Sequence, residues 1–182
     1  MKTLLKGVIA LIAILLAVLV GGAYLIPEDT VVQRQIVIDA PPDAVFAVAG
    51  DLRQFNQWSP WADLDPNMIV SFGGPETGVG QEMMWMSDNP SVGQGSQTVT
   101  EYIAGRKLAT ELDFGAMGTA QASLSLVPVD GGTGVTWGFK ARATGIIDRW
   151  LSLMFDRWIG ADFEKGLAKL KMVVESEAAD AN

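Results

Sequence analysis

The chain predicts an α+β domain carried behind one N-terminal transmembrane helix. Three observations support this. An uncharged run of 20 residues lies near the start, glycine- and proline-punctuated strand patterns fill the middle, and helical spacing runs from about Gly145 to Glu177. A strand, a helix, a meander of about six strands and a long last helix form an α+β order, in which an antiparallel sheet curls around the last helix and leaves a cavity between them.

The N-terminal run is GVIALIAILLAVLVGGAYLI, residues 7–26. At about 1.5 Å per residue it matches the hydrocarbon thickness of a bilayer. Lys2 and Lys6 lie before it, and Pro27, Glu28 and Asp29 follow. The positive-inside rule then predicts a single-pass protein of the cytoplasmic membrane, with its N-terminus inside and its domain on the extracytoplasmic, periplasmic side. Gly21-Gly22-Ala23 resembles a small-residue cleavage site, so a removable signal peptide is the rival reading. The run is longer than an ordinary signal core and continues through Tyr24, Leu25 and Ile26, which favours an anchor. The expected division is 1–26 anchor or signal peptide, 27–177 folded domain and 178–182 polar tail.

Composition removes whole classes of chemistry. The 182 residues include no cysteine and no histidine. A disulfide framework, a thiol nucleophile, an iron–sulfur cluster and a lipid-bearing cysteine are excluded, and the commonest general base and metal ligand is missing. Setting aside Lys2 and Lys6 leaves 11 of the 13 basic residues against all 21 acidic ones, a formal charge of −10. Nucleic acid, which rewards clustered lysine and arginine, is not an expected partner.

Along the domain, VVQRQIVIDA (31–40) places Val32, Arg34, Ile36 and Ile38 on one strand face. Pro41 and Pro42 suit a helix start, Asp43 complements its dipole, and the residue before Pro60 is driven to extended backbone. A helix ending near Trp58 is expected. MIVSF and QEMMWMS read as a hairpin around GGPETGVG; SQTVTEYIA, RKLATELDF, AQASLSLVPV and GVTWGFKARA are four further strands. In the last, Val135, Trp137, Phe139 and Ala141 share one face. On the final helix, Ile147, Leu151, Met154 and Trp158 cluster on one side, while Phe163, Leu167, Leu170 and Val174 lie on a rotated side. That rotation predicts a break or kink at Gly160.

IDAPPDAVFAVAGDLRQFNQWSPW, SDNPSVGQGSQTVTEYIAGRKLATELDF, GGTGVTW and IGADFEKGLAKLK resemble the START-like, or SRPBCC, superfamily. The chain is most similar to its polyketide cyclase/dehydrase branch, from about Val32 to Glu175. The resemblance implies a helix-grip fold, a curved antiparallel sheet holding the C-terminal helix with an apolar cavity between. Family members bind lipids, sterols, polyketides or other hydrophobic molecules; some are cyclases or hydratases, some carriers, and several regulate partner proteins. Fold alone does not choose among these roles.

Site chemistry follows from the side chains. Asp63 and Asp65 precede Pro66 as solvated turn residues, and Glu111 and Asp113 alternate with Leu112 and Phe114 towards solvent. Ser59 and Ser96 have no histidine for a triad. The glycine-rich segments match no phosphate-binding loop, and no calcium-loop spacing occurs. No catalytic residue, metal or cofactor is therefore expected. The aromatic set remains, and each member serves either as core or as pocket wall. The candidate pocket-lining residues are Trp58 and Trp61 at the proline corner, Trp85, Tyr102, Phe114, Trp137 and Phe139 on strands, and Trp150, Met154 and Trp158 on the last helix. The last three either close the cavity mouth as a lid or form a patch that meets the membrane or a protein partner.

The expected partner is a hydrophobic small molecule or lipid bound without catalysis. A cyclase- or hydratase-like enzyme is the alternative, with Glu101, Asp113 or Arg142 as its acid or cation. A third reading is an interaction module docking a membrane partner through the Trp150–Trp158 patch.

Overall fold

The computed structural model describes residues 2–180. Helix α1 (Lys2–Ala23) leads into β1 (Asp29–Ile38), α2 (Pro42–Ala49) and α3 (Phe55–Trp58). The meander follows as β2 (Ile69–Gly73), β3 (Glu82–Met86), β4 (Gln94–Ile103), β5 (Lys107–Asp113), β6 (Thr119–Val129) and β7 (Gly132–Arg142). A 3-10 turn at Gly115–Met117 links β5 to β6, and α4 (Ile146–Ser152) and α5 (Phe155–Asp180) close the chain. One antiparallel sheet of seven strands has the order β1-β7-β6-β5-β4-β3-β2 and curves around α5. The expected α+β helix-grip architecture is the one observed. Of the predicted tail, residues 178–180 continue α5, and 181–182 lie outside the described residues, as does Met1.

The registers put Asp29 opposite Arg142, Ala120 opposite Ala141, Thr119 opposite Asp113, Ser96 opposite Asp113, Gln94 opposite Met86 and Ile69 opposite Met86. The starts of β1, β2, β4 and β6 and the ends of β3, β5 and β7 therefore share one end of the sheet. We call it the proximal end, because α1 joins there. Helix α5 starts at this end and runs to the distal one, where the Glu175 carboxylate accepts the Asp39 N–H at 2.9 Å.

The distal half is solid. Ile38, Val45, Val99, Leu124, Leu126 and Val135 pack against Leu167, Leu170 and Val174 of α5, all nearly inaccessible to water. Burial of these side chains provides about 1.5–3 kcal/mol each and orients the helix on the sheet.

Two expected helix boundaries are corrected. The helix predicted to end near Trp58 is two pieces, because α2 stops at Gly50. The Gly50 N–H donates to the Phe46 carbonyl at 2.8 Å, and a Cβ there would lie 2.7 Å from that same oxygen. The α2–α3 corner is then tied down by buried Gln81, which donates to Asp51 at 2.6 Å and accepts from the Leu52 N–H at 3.2 Å.

The second correction concerns Gly160. The helix breaks at residues 153–154, between α4 and α5, and α5 is continuous through Gly160. Glycine is required there for a neighbour. Arg34 points from the core face of β1 to α5, where it donates to Asp156 at 2.9 Å and Glu164 at 2.7 Å. A Cβ on residue 160 would sit 2.1 Å from the Arg34 guanidinium. The hydrogen bond from Arg34 holds the Asp156 carboxyl below its ordinary pKa.

Two expected outcomes follow from this packing. Leu167→Ala should lower stability by about 2–5 kcal/mol, whereas Met172→Ala on the exposed face should change it by about 0.5 kcal/mol or less, as read from urea midpoints. Gly160→Ala should lower the thermal midpoint with Arg34 present. In an Arg34→Ala background it should raise the midpoint, because helix propensity then acts alone.

Candidate functional site

The proximal half of the domain is hollow. A cavity of about 430 Å³ lies between the concave sheet, α3 and the first turns of α5. Its room comes from small residues at inward positions of β6 and β7, namely Ala120, Ala122 and Ala141. Its walls are aromatic. Trp137 stacks face to face on Phe163, with centroids 3.8 Å apart and planes at 2°. Trp58 meets the edge of Trp137 at 5.0 Å and Phe55 at 4.8 Å. Trp85 pairs with Phe114 at 6.0 Å, and Phe139 with Phe155 at 6.2 Å. Such edge and stacked contacts add about 0.5–1.5 kcal/mol each beyond burial, so the walls are stiff.

Six of the ten candidate residues come together here: Trp58, Trp61, Trp85, Phe114, Trp137 and Phe139. The other four lie outside the lining: Tyr102 is in the core, and Trp150, Met154 and Trp158 are at the surface, the second of the two placements expected for them. Tyr102 follows a register shift between Val99 and Glu101 and packs edge-on to Phe46 at 5.2 Å, in the α2 side of the core. Trp150 lies against α1, where its indole N–H donates to the Leu19 carbonyl at 3.0 Å. Met154 and Trp158 sit at the α4–α5 break with much of their surface exposed.

No Asp, Glu, Lys or Arg is among the described residues that line the cavity. The side chains considered for catalysis are engaged elsewhere. Glu101 pairs with Lys107 at 2.6 Å, Asp113 accepts the Gly115 N–H at 2.7 Å, and Arg142 pairs with Glu28 at 2.6 Å. Asp63 pairs with Lys169 at 2.8 Å and Asp65 accepts from Asn67 at 2.9 Å, so both hold the corner after α3. Among the described residues no group of three or more acids is placed to hold a metal ion.

Two buried polar atoms belong to residues of the lining. Trp58 Nε1 and Asn56 Oδ1 are buried without a hydrogen-bond partner among the described residues. Burying such a group unpaired costs about 1–3 kcal/mol. Asn56 was not foreseen from the sequence, where a lone amide on a short helix has no distinguishing pattern. Phe155, Ile159 and Phe163 also line the cavity; only their helical spacing hinted at it.

Outside the cavity, the end of α1 is clamped to the domain. Arg149 donates to the Ile26 carbonyl at 2.9 Å, the Ala23 carbonyl at 3.4 Å and Glu28 at 2.6 Å. A cation here satisfies carbonyls at the helix C-terminus and complements its dipole. Glu28 bridges Arg142 and Arg149 at 2.6 Å each. The Arg142 hydrogen bond and charge, with Arg149 behind them, hold its carboxyl below the ordinary value.

The profile of the family described as polyketide cyclase / dehydrase and lipid transport matches residues 29–175. The chain belongs to this family. No curated protein sequence matches it. Among solved structures it is similar to a protein of unknown function from Staphylococcus aureus, at 12% identity and a TM-score of 0.64, covering 84% of this chain and 97% of that one. Protein CV1439 from Chromobacterium violaceum is similar at 15% identity and TM-score 0.55, covering 80% and 97%. The di-domain ARO/CYC StfQ from the steffimycin biosynthetic pathway matches at 11% identity and TM-score 0.63, covering 84% of this chain and 52% of that one. These likenesses establish the fold.

Because the folded-state pKa of Glu28 is lowered, the stability it contributes is complete above the ordinary carboxylate pKa. It is lost as pH falls through the lowered value. Glu28→Gln should therefore reduce the thermal midpoint near pH 7 and leave it unchanged at about pH 2, as scanning calorimetry of the two proteins would show.

Proposed function

We propose that this domain binds a hydrophobic small molecule or lipid in its proximal cavity, without chemistry, while α1 tethers it to the cytoplasmic membrane. The observation that carries the reading is a cavity of about 430 Å³ walled by aromatic and aliphatic side chains, with no ionisable group lining it among the described residues. Ligand sites typically enclose about 300–1,000 Å³ and are apolar with a few placed polar groups. The lining includes a few polar side chains, among them Asn56, Gln97 and Thr110. A ligand with one weakly polar head, such as a hydroxyl, suits so few polar neighbours while its hydrocarbon body lies against the aromatic walls.

The tether rests on Leu4–Ala23, 20 residues long and apolar enough to cross a bilayer, with none of its most apolar window buried against the domain. A signal sequence passes the same test, and cleavage after Ala23 would free the domain. Lys6 before the span and Glu28 and Asp29 after it favour an N-terminus in the cytoplasm and a domain outside.

Native mass spectrometry tests the binding reading on residues 27–182, purified without detergent. A bound mass that disappears on organic extraction is the expected result. An apo mass together with no saturable binding across a panel of lipids and isoprenoid alcohols would overturn it. Ala122→Phe, which projects a ring into the void, should abolish the bound mass while leaving the circular dichroism spectrum unchanged.

A further inference from the structure

The binding reading leaves unexplained where the cavity opens. The lining residues that reach solvent are Pro90, Ser91, Met117 and Thr119. They lie in the β3–β4 connection and at the β5–β6 turn, both at the proximal end fixed by the strand registers. That is also the end at which α1 meets the domain. The cavity mouth and the membrane-span candidate thus share one end of the fold.

The same end carries large apolar side chains that cover nothing. Met117 is 78% exposed, Ile147 70%, Leu153 58% and Trp158 51%. They flank the mouth on two sides, from the β5–β6 turn and from the α4–α5 break. An apolar patch continuous with a binding mouth marks an interaction surface.

The clamp on α1 supplies the depth. The Trp150 indole donates to the carbonyl of Leu19, which lies within the Leu4–Ala23 span, one turn before its end. A tryptophan so placed is at the level where interfacial aromatics reside, with its ring in the apolar boundary and its N–H satisfied. Helix α4 is therefore held beside the last turn of the span. Arg149 fixes it further through the Ala23 and Ile26 carbonyls, and Arg142 and Glu28 link that cation to the end of β7.

We propose that the proximal end rests on the leaflet that α1 crosses, with the α4–α5 break and the Met117 turn inserted among the lipid head groups. The cavity mouth then faces lipid, and its occupant is a membrane lipid that exchanges with the leaflet without passing through water. This rests on the anchor and binding readings given above. The partner is a neutral or zwitterionic bilayer surface. Asp88 in the β3–β4 connection and Asp113 at the end of β5 lie at the proximal end, and the region outside α1 carries a net charge of −10, so contact is apolar and anionic lipid is disfavoured.

The absence of cysteine allows a direct test on the full chain in phosphatidylcholine vesicles. Single-cysteine variants Met117→Cys, Leu153→Cys and, as a control on the exposed side of distal α5, Met172→Cys are labelled with an environment-sensitive fluorophore. Spin-labelled lipid is then added as a quencher. Blue-shifted emission that is quenched at 117 and 153, with neither effect at 172, is the expected result. Equal, unquenched emission at all three positions from protein that stays with the vesicles through an alkaline carbonate wash overturns the docking. Release by carbonate defeats the anchor reading, and the docking with it. Quenching at 117 and 153 together with a cavity found empty by extraction supports the docking and removes the binding reading. Doubling the variant with Arg149→Ala and Trp150→Phe should restore emission at 153, and persistence of the quenching would overturn the role given to the clamp.

Discussion

The contact between Trp137 and Phe163 divides the domain. Trp137 lies midway along β7, and Phe163 is on α5 where that helix crosses the sheet; their rings stack at 3.8 Å. The approach is possible because residue 166 is glycine, where a Cβ would sit 2.7 Å from the Trp137 ring. On the distal side of this pair, Leu167, Leu170 and Val174 fill the space above the sheet. On the proximal side there is a void. The stack is the floor of the cavity and the roof of the core at once, and Trp58 and Trp61 brace it from α3 and the corner beyond.

The void persists for two local reasons. Inward positions on β6 change from Leu126 and Leu124 in the core to Ala122 and Ala120 towards the proximal end, so the sheet stops filling its own concavity. On the other side, the first turns of α5 rest on a charged post. Arg34, bonded to Asp156 and Glu164, occupies the space between β1 and the helix beside Gly160. An ion pair held by geometry resists the collapse that an aliphatic neighbour would permit.

Much of this was legible in the chain. Glycine and proline punctuate each strand because they terminate pairing for steric reasons, and the period-two patterns identified the inward face of β7 correctly. The rotation of the apolar face along the last helical stretch was also visible, and its cause was not. Ile147, Leu151 and Met154 belong to α4 and its end, whose neighbour is α1, while Phe163 and Leu167 belong to α5. Gly160 was a misleading marker, since a helix glycine that admits a neighbouring guanidinium looks the same in sequence as one that breaks a helix. Tyr102 faces the core but misses the cavity because it is near the distal end of β4, where it packs on Phe46 of α2. Trp150 has its place either in a lid or in a membrane-facing patch by sequence, and its actual partner on the N-terminal helix lies outside any pattern the domain displays. Asn56 acquires its meaning only from burial.

A cavity of this size bears on stability as well as on function. In engineered cores an unfilled apolar void costs stability in proportion to its volume, so the space left open by Ala120, Ala122 and Ala141 is a packing deficit relative to a filled core. The open mouth admits solvent and reduces the deficit, but water gains few partners against aromatic walls. An occupant held at a hundred times its dissociation constant returns about 2.7 kcal/mol. The distal core, which is complete without any ligand, must therefore carry the fold alone. The proximal half is then free to fill and empty without unfolding what lies behind the Trp137–Phe163 stack, which is the property a carrier of hydrophobic cargo requires.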